Sequence, residues 1–266
     1  GRRGNGKSTL LGQLLQESID QGYAVCAYSG ELADWQFKYW SSLQAAGPAH
    51  ISTKPDPRTG KDIAVIDAMA QTRIDDWWRH RFFLNDIGSE SAHDEDRILS
   101  LFEYANLQYG AKVFLVDNIM TANFRKQSDT DFYRAQSSFV GRLLSFAKRR
   151  GVHIHVVAHP RKANANGGKH ITNDDVGGIG DITNRADNVF SLEREPCEER
   201  GHELGEITVL SVLKNRMYGE KVNVGLNFDP RSKRFYKHGH KPDKKYAWVL
   251  CGEQVELPRT SPVPFE

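Results

Sequence analysis

Leu10, Leu11, Leu14, Leu15 and Ile19 recur at helical spacing behind a glycine-rich opening, which predicts an amphipathic helix starting close to Thr9. Short apolar runs then alternate with longer periodic stretches. Residues 24–28, 81–85, 112–117 and 152–158 read as strands, and residues 35–44, 94–109 and 131–150 as helices, the last stopped by Gly151. The proline-rich, charged stretch 48–61 reads as a loop. Beyond a polar, glycine-rich segment, a helix over 179–186 leads to strands over 188–192, 206–214 and 222–228, the last two antiparallel. Strand and helix alternating in this order predict βαβ units, hence an α/β domain with a mostly parallel sheet and antiparallel strands at its C-terminal end. No internal repeat is present. Residues 244–250 read as one more strand, and 258–264 as a flexible linker.

Composition narrows this picture without changing it. A chain of 266 residues suits one large α/β domain, and 39% apolar with 26% charged residues is ordinary for a soluble globular protein. No apolar run approaches the roughly twenty residues of a membrane span, and no signal-like segment opens the chain, so neither insertion nor secretion is expected. Cys26, Cys197 and Cys251 lie too far apart for a metal knuckle and are odd in number, which fits a reducing compartment. A net charge of +2 argues against a globally basic nucleic-acid binder. Any such surface must be local.

The chemistry begins at residue 1. Gly1-Arg2-Arg3-Gly4-Asn5-Gly6-Lys7-Ser8 has the full spacing of a phosphate-binding loop, with Thr9 entering the helix behind it. Glycines let successive N–H groups, here of Gly1, Arg3, Gly4, Asn5 and Gly6, turn inward around phosphates. Lys7 adds a point charge, and Ser8 offers a hydroxyl to Mg²⁺. A loop of this kind hangs from the end of a buried parallel strand, so a strand is expected upstream of residue 1. Further along, the apolar residues Val113 to Val116 carry Asp117 to the carboxyl end of a strand, where its carboxylate would hold Mg²⁺ through water opposite Ser8. In one large class of loop ATPases the residue after this aspartate is the water-activating glutamate. Here it is Asn118, which disfavours that class. Glu31, in Tyr-Ser-Gly-Glu just past the strand over 24–28, is the alternative base, with Gly30 easing the backbone into the site.

These segments in this order, Gly1 to Thr9, Tyr28 to Glu31, Val113 to Asp117, Val156 to His159, and Val176 to Asp187 followed by Lys214-Asn215-Arg216, resemble the RecA-fold ring helicases of the DnaB type, including phage primase-helicases and the mitochondrial helicase Twinkle. The resemblance covers residues 1 to about 235. It implies a RecA-like motor domain over 1–237, with 238–266 a C-terminal strand and tail. It also implies ATP as substrate with Mg²⁺, a homo-oligomer in a ring of six, single-stranded and forked DNA as partners, 5′ to 3′ movement, and primase and DNA polymerase as further partners. The setting would be the cytoplasm of a prokaryotic or phage-infected cell, or the mitochondrial matrix. His159 takes the position of a γ-phosphate sensor, closer to the phage branch than to the bacterial one, where Gln is usual. Lys214 and Arg216 alternate on a strand and so project to one side; the resemblance makes Arg216 a finger reaching a neighbour's nucleotide, with Lys214 beside it.

The segment from Arg161 to His170, with Lys162, Asn164 and Lys169, is basic and amide-rich and directly follows His159 and Pro160, so it is the expected DNA grip. It carries no aromatic for base stacking. Arg125 and Lys126, in the loop over 121–130, would line the same channel. Two other readings stay open at this point: a strand-exchange recombinase, which shares the catalytic core, and a nucleotide-gated regulatory assembly that does not translocate.

Overall fold

The computed structural model describes residues 4–88, 90–124, 129–159, 181–199 and 202–250. In chain order these form α1 (Lys7–Asp20), β1 (Val25–Ser29), α2 (Asp34–Ala46), β2 (Ile51–Pro55), β3 (Asp62–Ile66), α3 (Ala68–Trp78), β4 (Phe82–Leu84), α4 (Glu95–Tyr109) and β5 (Val113–Asp117). Then come α5 (Asp129–Arg150), β6 (His153–Val156), α6 (Asp181–Arg185), β7 (Asn188–Glu199), β8 (His202–Asn215), β9 (Asn223–Asp229), β10 (Arg234–Lys237) and α7 (Ala247–Leu250).

The apolar runs become a parallel sheet in the order β4-β1-β5-β6. Every residue of β1 and β5 is buried, because helices cover both faces. Alternation along each strand divides the core in two. Val25, Ala27, Val113 and Leu115 pack with Leu15, Ile19, Ile74 and Trp78 on one side. Cys26, Tyr28, Phe114 and Val116 pack with Phe102, Phe139 and Phe146 on the other.

A second sheet, antiparallel in the order β10-β9-β8-β7, includes the expected antiparallel pair, β8 with β9. Leu192, Leu226 and Phe235 on this sheet meet Leu10 of α1. The facing edges of β6 and β7 are unpaired among the described residues, and a groove of about 350 Å³ runs between these strands.

Three stretches differ from the sequence reading. Residues 48–61 hold a short 3₁₀ turn and the strand β2, which pairs antiparallel with β3 across a turn at Asp56–Gly60. Only Ile51 of β2 is buried, so its alternation left little hydrophobic signal beside three prolines. The helix α3, absent from the reading, is capped by Asp67, which accepts from the backbone N–H groups of Met69 and Ala70, and buries Ala70, Ile74, Trp77 and Trp78. Residues 244–250 end in the helical turn α7, not a strand. Side chains anchor this stretch: Tyr246 donates to Glu17 Oε1 at 2.9 Å and Trp248 Nε1 to the Ala45 carbonyl at 3.0 Å.

Arg234, only 2% exposed, ties the end of α2 to the segment before α7. Its guanidinium donates to the carbonyls of Gln44 (2.6 Å), Ala45 (3.2 Å), Pro242 (3.1 Å) and Lys244 (2.5 Å), under the ring of Tyr246. Burial pulls its pKa below the usual guanidinium value, while Tyr246, Glu17, Asp229 and Asp243 support the charge. Arg234→Leu strands four carbonyls at once. The expected loss is about 3 kcal/mol or more, read as a lower urea midpoint; a midpoint unchanged from the parent would refute this account. No helix among the described residues is long and apolar enough to cross a membrane.

Candidate active site at the carboxyl ends of the parallel strands

Register puts the candidate residues together. Ser29 pairs with Asp117 and Val116 with Val156, so β1, β5 and β6 finish nearly level and release Glu31, Asn118 and His159 at one end of the sheet. The phosphate loop lies at the same end, ahead of α1. Gly4 (φ 80°) and Gly6 (φ 86°) both take the left-handed conformation that favours glycine. A Cβ on Gly6 would meet the Phe235 ring at 2.7 Å, so the loop backs onto β10. Asn5 Nδ2 donates to the Leu192 carbonyl at 3.0 Å, pinning the loop to β7 as well. Thr9 is buried, and its carbonyl accepts from Gln44 Nε2 at 2.7 Å.

Asp117 is fully buried, yet neither carboxylate oxygen has a hydrogen-bond partner. Burial pushes its pKa up to about 6. The Ser8 hydroxyl, which faces it without completing a hydrogen bond, and the Lys7 charge pull it down, whereas Glu31 adds to the rise. An orphaned buried carboxylate with a hydroxyl opposite fits Mg²⁺, a hard ion that takes few protein oxygens and completes its shell with water and phosphate. Ser8 and Asp117 are the pair that could hold it; among the described residues no group of three or more His, Cys, Asp or Glu comes together elsewhere.

The raised pKa has a consequence for stability. The folded protein binds this proton more tightly than the unfolded chain, so the contribution present below pH about 3.8 is lost as pH rises through about 6. Asp117→Asn removes that loss. Mg²⁺-free protein carrying it should be more stable than the parent by about 1–3 kcal/mol near pH 8, with the difference shrinking towards pH 4. Thermal unfolding across this pH range checks the sign; a variant less stable at pH 8 would contradict it.

Glu31 is held rather than loose. Asn118 Nδ2 donates to Glu31 Oε1 at 2.5 Å, and His159 Nε2 lies 3.1 Å from the same oxygen and 2.9 Å from Asn118 Nδ2. The Asn118 amide is oriented by its own Oδ1, which accepts from Met120 N at 2.7 Å. The peptide joining Asp117 to Asn118 is cis. Behind this cluster Thr121 Oγ1 donates to the Asn118 carbonyl at 2.7 Å and lies 3.2 Å from Tyr28 OH, itself 2.8 Å from His93 Nδ1. Gly30 passes so close that a Cβ there would sit 2.0 Å from Thr121 Oγ1. The need for glycine beside Glu31 is therefore steric. Asn118, weighed in the sequence only as a missing glutamate, is the group that aims the carboxylate. Its one sequence signal is adjacency to Asp117.

Lys214 lies in β8 and Arg216 one residue past its end, so they do not alternate on one strand; both bond the Asn184 carbonyl, and they are not part of this cluster. Lys214 Nζ donates to the carbonyls of Thr183 (2.9 Å) and Asn184 (3.1 Å), and Arg216 donates to Asp187 Oδ1 (2.6 Å) and the Asn184 carbonyl (3.0 Å), all at the C-terminal end of α6. Gly1, Arg3, Arg125, Lys126, Arg161, Lys162, Asn164 and Lys169 lie outside the described residues.

No protein-family model matches the sequence, and no curated protein matches it. Solved structures do resemble it. A DnaB-like replicative helicase, described together with its interactions with primase, superposes with TM-score 0.70 at 16% identity over 88% of this chain. The match takes in 56% of that helicase, so the present chain spans little more than half its length. A second structure, of an ATPase domain, superposes with TM-score 0.69 at 16% identity, covering 89% of this chain and 82% of its own. A KaiC-like protein from the hyperthermophilic archaeon Pyrococcus horikoshii OT3 gives 0.56 at 13% identity, over 87% and 84%. Likeness at these identities establishes the fold, a RecA-like α/β domain, and leaves the activity to the chemistry of the site.

Proposed function

We propose that the chain is the ATP-hydrolysing motor of a DNA helicase, acting as a ring of copies on single-stranded DNA. The observation that carries this is the Glu31–Asn118–His159 cluster at the strand ends, beside a buried Asp117 with no hydrogen-bond partner and a complete phosphate loop. Lys7 and the loop N–H groups hold the phosphates. Ser8 and Asp117 would hold Mg²⁺, which would supply neutralisation of phosphate charge. Glu31 orients the attacking water, its carboxylate fixed by Asn118. His159 contacts both Asn118 and Glu31, so loss of the γ-phosphate would change what its Nε2 bonds. Because residues 161–170 follow it directly in sequence, that change can be passed to the DNA. Arg216 completes a neighbour's site, and a hexamer, a primase and a DNA polymerase belong to this reading as assembly partners.

The DnaB-like helicase superposes with TM-score 0.70 and the KaiC-like protein with 0.56, which supports this reading. One experiment separates the readings: unwinding of a forked duplex with ATP and Mg²⁺, run beside homologous pairing and DNA-stimulated hydrolysis. Unwinding is expected. Pairing without unwinding would make the protein a recombinase, and neither activity would leave a nucleotide-gated assembly.

A further inference from the structure

Asp187 meets Arg216 twice. The Arg216 backbone N–H donates to the Asp187 carbonyl at 2.9 Å, and the guanidinium donates through NH1 to Asp187 Oδ1 at 2.6 Å. NH2 is taken by the Asn184 carbonyl at 3.0 Å. The guanidinium is thus fixed in plane and direction by two acceptors at different nitrogens. An arginine side chain has five N–H donors in a rigid fork, so two held this way leave the others for an incoming anion. The pair is half-exposed, 50% for Arg216 and 54% for Asp187. An ion pair so exposed contributes little to folding, which makes orientation its more consequential effect.

We infer that Asp187 is a positioning residue for Arg216: it orients the guanidinium in one subunit so that it reaches the triphosphate held by the next. This rests on the proposed role of Arg216 across a subunit boundary. The backbone bond between the two residues does not depend on the Asp187 side chain, so truncation there removes the orienting carboxylate while the main chains stay tied. Lys214 supports the same platform, since its Nζ binds the Thr183 and Asn184 carbonyls from the end of β8. An alternative role, in which Asp187 competes with phosphate and restrains Arg216, predicts the opposite change in rate.

The test uses the full chain, with DNA-stimulated ATP hydrolysis as the readout. Asp187→Ala is expected to lower kcat about 10- to 100-fold, the cost of a misdirected catalytic group, with KM for ATP and thermal stability nearly unchanged. Asp187→Glu should restore part of the rate. The double variant Asp187→Ala, Arg216→Ala should be no slower than Arg216→Ala alone, because a positioning residue has nothing left to position; a purely structural residue would add its own loss. A normal or faster Asp187→Ala enzyme, or an additive loss in the double variant, overturns the inference. A slow Arg216→Ala enzyme beside a normal Asp187→Ala enzyme overturns it alone, whereas an Arg216→Ala enzyme of parental rate removes the finger reading as well.

Discussion

Glu31→Gln is expected to lower ATP turnover about 10²- to 10⁴-fold while leaving nucleotide affinity close to that of the parent. The substitution keeps shape and volume, so the loss comes from chemistry. Glu31 Oε1 already accepts from Asn118 Nδ2 at 2.5 Å and lies 3.1 Å from His159 Nε2, which leaves Oε2 as the oxygen available to a water. A glutamine must place its carbonyl oxygen towards Asn118, because Asn118 Nδ2 is a donor and Asn118 Oδ1 is committed to Met120 N. Its NH₂ then occupies the water-facing position. A donor there cannot accept from the water or draw off its proton. At 42% exposure the side chain is open enough for water to reach, and it is held on one side only. Single-turnover phosphate release, measured beside binding of a fluorescent nucleotide, reads the two effects separately. A rate within about twofold of the parent would show that the base lies elsewhere.

The parts of this arrangement that could be read from the sequence share a physical cause. Val113 to Val116 are a continuous apolar run because both faces of β5 are covered, and that continuity puts Asp117 at the strand end. The glycine spacing of residues 1–8 is equally local, since a phosphate cradle needs particular backbone conformations at particular positions. Asn118 was not legible as a positioning group because its role depends on Glu31, which is 87 residues away in sequence and level with it only through strand register. The same holds for the partnership of Arg216 with Asp187, made between the residue after β8 and the end of α6. The hairpin β2–β3 escaped for a different reason. It lies on the surface, with one buried residue in β2, so its pairing is recorded in backbone hydrogen bonds more than in hydrophobic pattern. The helix α3 carries the helical pattern in full, Ala70, Ile74, Trp77 and Trp78 with polar and charged residues between, so it was legible although the sequence reading omits it.

Arg216→Ala is expected to cost about 10³-fold or more in turnover without weakening nucleotide binding, because the guanidinium is needed only where charge develops in the transition state. Within one copy Arg216 bonds Asp187 and Asn184, and no hydrogen bond among the described residues joins it to the Glu31 cluster. On the proposed reading, an arginine in that position acts on another copy's nucleotide. Mixing makes this testable. The Glu31→Gln and Arg216→Ala variants are each inactive by the argument above, but a boundary between them can pair an intact Glu31 with an intact Arg216. If copies assort at random in equal amounts, about a quarter of the boundaries are complete, and activity should return towards that fraction of the parental rate. The variants must first be dissociated and reassembled together, with exchange verified by differently tagged copies. Recovery is impossible if each copy supplies both residues to its own nucleotide, since no copy in the mixture has both. Mixed rings with no regained turnover would therefore exclude a site shared between subunits, and Arg216 would keep only its bonds to Asn184 and Asp187.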